Sequence, residues 1–184
     1  WLALDSNPLS GLDGLSGIQS LTRVSIMGCG ISDLTPLQAL TNLDGLFLNG
    51  NAISSLTGLE GLINLRELSL SRNQVVDLLP LANLTSLFSL RLDENLVQSV
   101  QSLSGLTALQ YLDLTGNQLP STAGLGGLGS LVELYLSENI ITDVSSLASL
   151  TPALAPDLRL LWLEDNLVSD ISALANLTQL RNVN

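Results

Sequence analysis

Histidine and lysine are both missing from this 184-residue chain, and cysteine occurs once. Without histidine there is no side chain ready to shuttle protons near neutral pH, and the commonest metal ligand is gone. Neither a Ser/His/Asp nor a Cys/His set can be assembled, so nucleophilic catalysis of that kind is excluded. Cys29 has no partner for an internal disulfide and says nothing about the redox compartment. The cations are six arginines, against 17 acidic residues and a net charge of −11. That balance offers no basic stripe to a phosphate backbone, so nucleic acid is not an expected partner. No apolar run is long enough to span a membrane. Trp1–Asp5 has no basic region of the kind that opens a signal peptide. No D-x-D-x-D-G run supports a calcium site, and Gly124–Gly129 lacks the lysine of a phosphate loop. Neither metal nor cofactor is expected, and the chain reads as non-enzymatic.

What fills the chain is leucine at regular spacing. Asn7, Asn51, Asn73, Asn95, Asn117 and Asn139 share a 22-residue register, with Cys29 in the one slot where asparagine is missing. Asn166 follows after a gap of 27, so five residues are inserted before it. Each asparagine closes the frame L-x-x-L-x-L-x-x-N, as in Leu65 to Asn73. The L-x-L centre alternates with period two, which predicts a short strand with one buried face. Beyond the asparagine come an apolar residue, then Asp or Ser (Asp33, Asp77, Asp143, Asp170 among them), then apolar positions spaced by three such as Leu78, Leu81 and Leu84. That spacing suits a 3₁₀ turn, with the Asp or Ser as its N-cap. Repetition at this period predicts a stack in which each unit contacts its neighbours and parallel strands line one side. Strands pack more closely than helical returns, so the sheet side becomes concave. The asparagine lies at the turn after the strand, where its amide can satisfy otherwise unpaired backbone groups.

The run Cys29 to Leu37, "N-x-I-x-D-[IL]-x-P-L" with Cys29 for Asn, and the ending Leu81-Ala82-Asn83-Leu84-Thr85-Ser86-Leu87 resemble the 22-residue, internalin-like and SDS22-like subclass of the leucine-rich repeat family. The resemblance covers essentially the whole chain. It implies one α/β solenoid over residues 1–184, of about eight repeats. The stack would be right-handed and curved, with a parallel sheet on the concave face and short helical returns on the convex face. It also implies a protein-binding scaffold, secreted or on a bacterial surface in the internalin manner. The alternatives are a cytoplasmic regulatory subunit holding an enzyme, or a repeat spacer in a larger protein. The chain opens inside one unit and stops inside another, so a longer protein carrying the native caps is expected.

Two departures interrupt the pattern. Thr151–Asp157 carries the five-residue insertion and should bulge just before the strand of Trp162. Gly124–Gly129, with Thr122 where an apolar residue belongs, should form a loose, non-helical return. Asn83-Leu84-Thr85 and Asn176-Leu177-Thr178 match a glycosylation acceptor, but the repeat itself supplies Leu-Thr there.

The aromatic residues carry the binding signal. The third, fifth and seventh positions of each frame face outward from the sheet. Five of the six aromatics (Trp1, Phe47, Tyr111, Tyr135 and Trp162) fall on those three positions of 22, where chance would place about one. Phe88 is the exception. Tyr111, Tyr135 and Trp162 belong to consecutive strands and should form one patch, with Asp113, Glu133 and Glu164 around it and Arg91 and Asp93 one strand away. Exposed aromatics ringed by charge are typical interface anchors. The expected ligand is a protein partner with a basic surface, bound through Phe47, Arg91, Asp93, Tyr111, Asp113, Glu133, Tyr135, Trp162 and Glu164. The chain itself is expected to be a monomer.

Overall fold

The computed structural model describes residues 1–184. Nine short strands form one parallel sheet in sequence order: β1 (Leu2–Ala3), β2 (Arg23–Ser25), β3 (Gly45–Phe47), β4 (Glu67–Ser69), β5 (Ser89–Arg91), β6 (Tyr111–Asp113), β7 (Glu133–Tyr135), β8 (Leu160–Trp162) and β9 (Asn182–Val183). Each strand pairs with the next in the same register, so Leu68 lies beside Leu90 and Leu112 beside Leu134. The step from β7 to β8 keeps that register despite the insertion: Leu134 lies beside Leu161, and Tyr135 beside Trp162.

The facing follows from the pleat. Around β6, Leu112 and Leu114 are fully buried, while Tyr111 and Asp113 on the other face stay partly exposed. In the unit around β4, Leu65, Leu68, Leu70, Val75, Leu78, Leu81 and Leu84 all point inward. Equivalent residues of successive units stack into one core that runs the length of the molecule. Truncating any one of these leucines to alanine removes about 2–5 kcal/mol.

The asparagines tie the units together. Asn95 Oδ1 accepts the Val75 N–H at 3.0 Å, and its Nδ2 donates to Leu70 O at 2.9 Å and Leu92 O at 3.0 Å. Val75 and Leu70 belong to the preceding unit, so one amide bridges two turns of the solenoid. Asn51, Asn73, Asn117 and Asn139 repeat the arrangement. Cys29 reproduces half of it. Its thiol donates to Leu4 O at 3.1 Å, but it offers no carbonyl oxygen, and the Leu9 N–H turns to Asn7 O instead.

The returns differ from expectation in two respects. The aspartates lie one residue upstream of the N-cap: Leu34, Leu78, Val144 and Ile171 occupy the caps. The carboxylates still reach the first N–H of each 3₁₀ turn, as in Asp33 Oδ1 to Thr35 N at 2.9 Å. The two-residue reach is that of an Asx turn. These bonds hold the carboxyls of Asp33, Asp143 and Asp170 below the usual range.

The other difference concerns Gly124–Gly129, which is non-helical but not loose. Gly124 has φ +104°, as does Gly58 at the equivalent position, and neither unit forms a 3₁₀ turn. A Cβ on Gly129 would lie 2.9 Å from Leu154 O, inside the inserted segment. The glycine-rich return is therefore the seat on which the neighbouring insertion packs. Thr122 is fully buried, and its hydroxyl meets Ser146 Oγ at 2.8 Å. The insertion itself forms a turn, with Leu154 N–H and Ala155 N–H both donating to Thr151 O, and Ala155 takes a core slot. On its far side Gln179 Nε2 donates to Leu150 O and Ala155 O.

Removing the Asn95 amide leaves the buried Val75 N–H unpaired, at about 1–3 kcal/mol, and takes one of two donors from each of Leu70 O and Leu92 O. Asn95→Ala should lower unfolding stability by about 2–4 kcal/mol in urea titrations. Cys29→Asn should restore the missing acceptor and raise stability by about 1 kcal/mol. A Cys29→Asn variant no more stable than the parent would show that the Leu9 N–H is already adequately satisfied.

Candidate functional site

The open face of the sheet is set by the third, fifth and seventh positions of each unit, and the structure sorts its aromatic residues into two groups. On β6 to β8, Tyr111 and Tyr135 have ring centroids 5.4 Å apart, and Tyr135 and Trp162 are 5.1 Å apart in an edge-to-face contact. These are attractive geometries for aromatic pairs. The three rings form a continuous row in which Tyr111 and Tyr135 are half-buried and Trp162 is 37% exposed.

Polar neighbours fix the row. The Tyr111 hydroxyl donates to Asp113 Oδ2 at 3.3 Å, and the Tyr135 hydroxyl donates to Glu133 Oε2 at 2.8 Å. Arg91 lays its guanidinium over the Tyr111 ring at 4.9 Å. Burial, then the Glu133 hydrogen bond and charge, push the Tyr135 phenol far above its ordinary range, so it stays a neutral donor. Burial also raises Tyr111, with Arg91 opposing the rise.

Asp113 lies at the centre of this face. Burial raises its pKa, and the nearby Asp93 charge adds to the rise. Hydrogen bonding from Thr115 and Tyr111 works in the opposite direction. Asp93 accepts from Ser71 Oγ, and Glu164 Oε2 accepts from Asn184 Nδ2 at 3.2 Å.

Phe47 stands apart. It lies on β3, separated from Tyr111 by β4 and β5, and stacks with Trp1 at 6.0 Å. The Arg23 guanidinium lies 5.4 Å from the Trp1 ring and 5.6 Å from the Phe47 ring. Arg23 also pairs with Asp44 at 3.2 Å and with Glu67. This second cluster supplies its own counter-charges within the chain. Of the residues expected to share the partner face, the structure brings together Arg91, Asp93, Tyr111, Asp113, Glu133, Tyr135, Trp162 and Glu164, and leaves Phe47 outside.

Two further carboxylates join the C-terminal group. Glu94 and Glu138 line the same trough as Asp93, Asp113, Tyr135, Trp162 and Glu164. Both occupy the eighth position of the frame, where the backbone is left-handed (φ 53° and 55°) and where Gly28, Gly50 and Gly116 stand in other units. A left-handed non-glycine residue costs on the order of 1 kcal/mol. An acidic residue in a glycine slot is the sequence signal that could have found them.

Known proteins share this fold. The leucine-rich repeat family model (two copies) matches residues 41–83. Internalin C2 from Listeria monocytogenes is 36% identical, with a TM-score of 0.90, over 99% of this chain and 79% of that one. The internalin inlF from the same organism is 28% identical, with a TM-score of 0.83, over 97% of this chain and 58% of that one. TLR13, in a complex with the single-stranded RNA ssRNA13, is 27% identical with a TM-score of 0.80, over 97% of this chain and 27% of that one. No curated protein matches the chain significantly. An open parallel sheet built from 22-residue leucine units defines a solenoid scaffold of the protein-binding kind. The chain belongs to the leucine-rich repeat family, and its repeats are internalin-like. Such scaffolds are typically non-catalytic. No helix here is long and apolar enough to cross a membrane.

The raised pKa of Asp113 makes a pH-dependent prediction. Its cost to folding is absent while the carboxyl is protonated in both states. The cost grows as pH rises through the unfolded value and is complete above the folded value. Asp113→Asn should therefore raise the melting temperature at pH 7, and the gain should vanish at about pH 3. Equal melting temperatures at pH 7 would mean that the carboxylate is well solvated.

Proposed function

We propose that this chain is a non-catalytic recognition module that holds a folded protein partner on its concave face. The observation that carries the reading is the row Tyr111–Tyr135–Trp162, three aromatic rings each in contact with the next on the open side of a preformed sheet. Side chains locked by neighbours and by the Glu133 and Asp113 hydrogen bonds lose little further freedom on binding, so their contact area converts efficiently into affinity. The small, largely buried serines that floor this face, including Ser69, Ser71 and Ser137, let a partner approach closely.

The surrounding carboxylates favour a partner with a basic surface and speed its encounter at low salt. They also argue against RNA as the ligand, although one of the similar structures is an RNA complex. A phosphate backbone needs a cationic track, and the arginines near the row are few: Arg91 lies over Tyr111, Arg72 pairs with Glu94 at 3.0 Å, and Arg181 lines a hollow with Trp162. The same acidic face repels its own copy, in keeping with a monomer. By likeness to the internalins, the setting is a secreted or surface-exposed bacterial protein.

Proteins retained by the wild-type chain and lost with Tyr135→Ala/Trp162→Ala identify the partner. With that partner in a calorimeter, each single variant should weaken binding by about 1–3 kcal/mol while unfolding as the parent does. Unchanged affinity in both variants would remove the concave row as the binding site.

A further inference from the structure

We infer that the trough beside Tyr135 and Trp162 is a socket for one arginine side chain of the partner. The inference rests on the concave-face reading above and names the chemistry of its central contact. Four carboxylates line the trough without an ion-pair partner: Asp93, Asp113, Glu138 and Glu164. With them lies Ser137, which is 5% exposed and whose Oγ has no hydrogen-bond partner. Buried hydroxyls are nearly always paired, so this one marks a polar group still to be met. The cavity is about 330 Å³, open to solvent, with Tyr135 and Trp162 as its apolar wall.

Two other observations narrow the occupant. The carboxylates are too widely spread to surround a metal ion, and no cluster in the chain could hold one. A larger cation that reaches several oxygens at once fits better. The chain's own arginines show how it receives such a group. Arg23 lies against both the Trp1 and Phe47 rings, with Asp44 and Glu67 as counter-charges. Arg91 covers the Tyr111 ring, directly next to Tyr135. The trough repeats the ring-plus-carboxylate arrangement and has no arginine of its own lining it. A guanidinium is flat and weakly hydrated, so it lies against an aromatic face while its edge donates to carboxylates. An ammonium is compact and strongly hydrated and gains less from the ring.

The test uses short blocked peptides that differ only in a central arginine, citrulline, lysine or glutamate. The indole N–H resonances of the wild-type protein report the result: Trp162 lies at the trough and Trp1 does not. The arginine peptide should shift the Trp162 signal saturably and leave that of Trp1 in place. Citrulline, which has the same shape without the charge, should bind at least tenfold more weakly, and the glutamate peptide should not bind. Asp113→Asn combined with Glu164→Gln should weaken the arginine peptide at least fivefold while leaving the circular dichroism unchanged. Equal binding of the arginine and citrulline peptides, or no effect of the double variant, overturns the socket, and tighter binding of lysine overturns its assignment to arginine. If Tyr135→Ala releases the protein partner but no arginine peptide binds, the concave-face reading survives and the socket falls. If the peptide binds but the partner ignores Tyr135→Ala and Trp162→Ala, the socket survives and that reading falls.

Discussion

One side-chain amide per turn holds this molecule in step. Each ladder asparagine receives a backbone N–H from the unit before it and donates to carbonyls of both units, within the wall between two layers of leucine. Those backbone groups occur where the chain leaves the sheet and cannot reach a neighbouring strand. Left unpaired they would cost about 1–3 kcal/mol each, comparable with what a buried leucine gains, so the apolar stack depends on the polar ladder beside it. Cys29 shows the minimum that is tolerated: a donor without an acceptor, at the second unit, where only one turn precedes it.

Because the ladder fixes every strand at the same phase, the facing of each residue was readable before any coordinates. The outward placement of Tyr111, Tyr135 and Trp162 follows from period two and from a strand count, and the rings meet as that count requires. The count also separates Phe47, three strands away, which instead stacks on Trp1 beside Arg23. What could not be read depends on backbone approach and on special dihedrals. The tight fit of Gly129 against Leu154 joins two departures that look independent in the sequence. Glu94 and Glu138 occupy a turn position that the repeat pattern treats as filler, and their left-handed backbone swings them into the trough. The Asx turns show a milder version of the limit: the bonded group was legible, but the assignment of the cap was off by one residue.

The two halves of the concave face differ in electrostatic completeness. Towards β1 the cation, the rings and the acids all come from the chain, and the cluster closes on itself. Towards β8 the rings and acids are present in excess, and Asp113 bears the cost of burial beside other carboxylates. Repulsion of this kind lowers stability and raises affinity for an opposite charge, a common trade at recognition surfaces. A rigid solenoid tolerates it because each unit is held by its neighbours on both sides.

The inserted turn at Thr151–Ala155 shows what such a ladder permits. Asn166 reaches Leu136 O across 30 residues, where its counterparts span 25, yet makes the same bond at 2.8 Å. The scaffold counts layers and is indifferent to how much chain each layer consumes. A lineage can therefore lengthen one edge, residue by residue, while the opposite face keeps its pattern intact. Contour and chemistry become separately adjustable, which lets one architecture be refitted to unrelated ligands without being refolded.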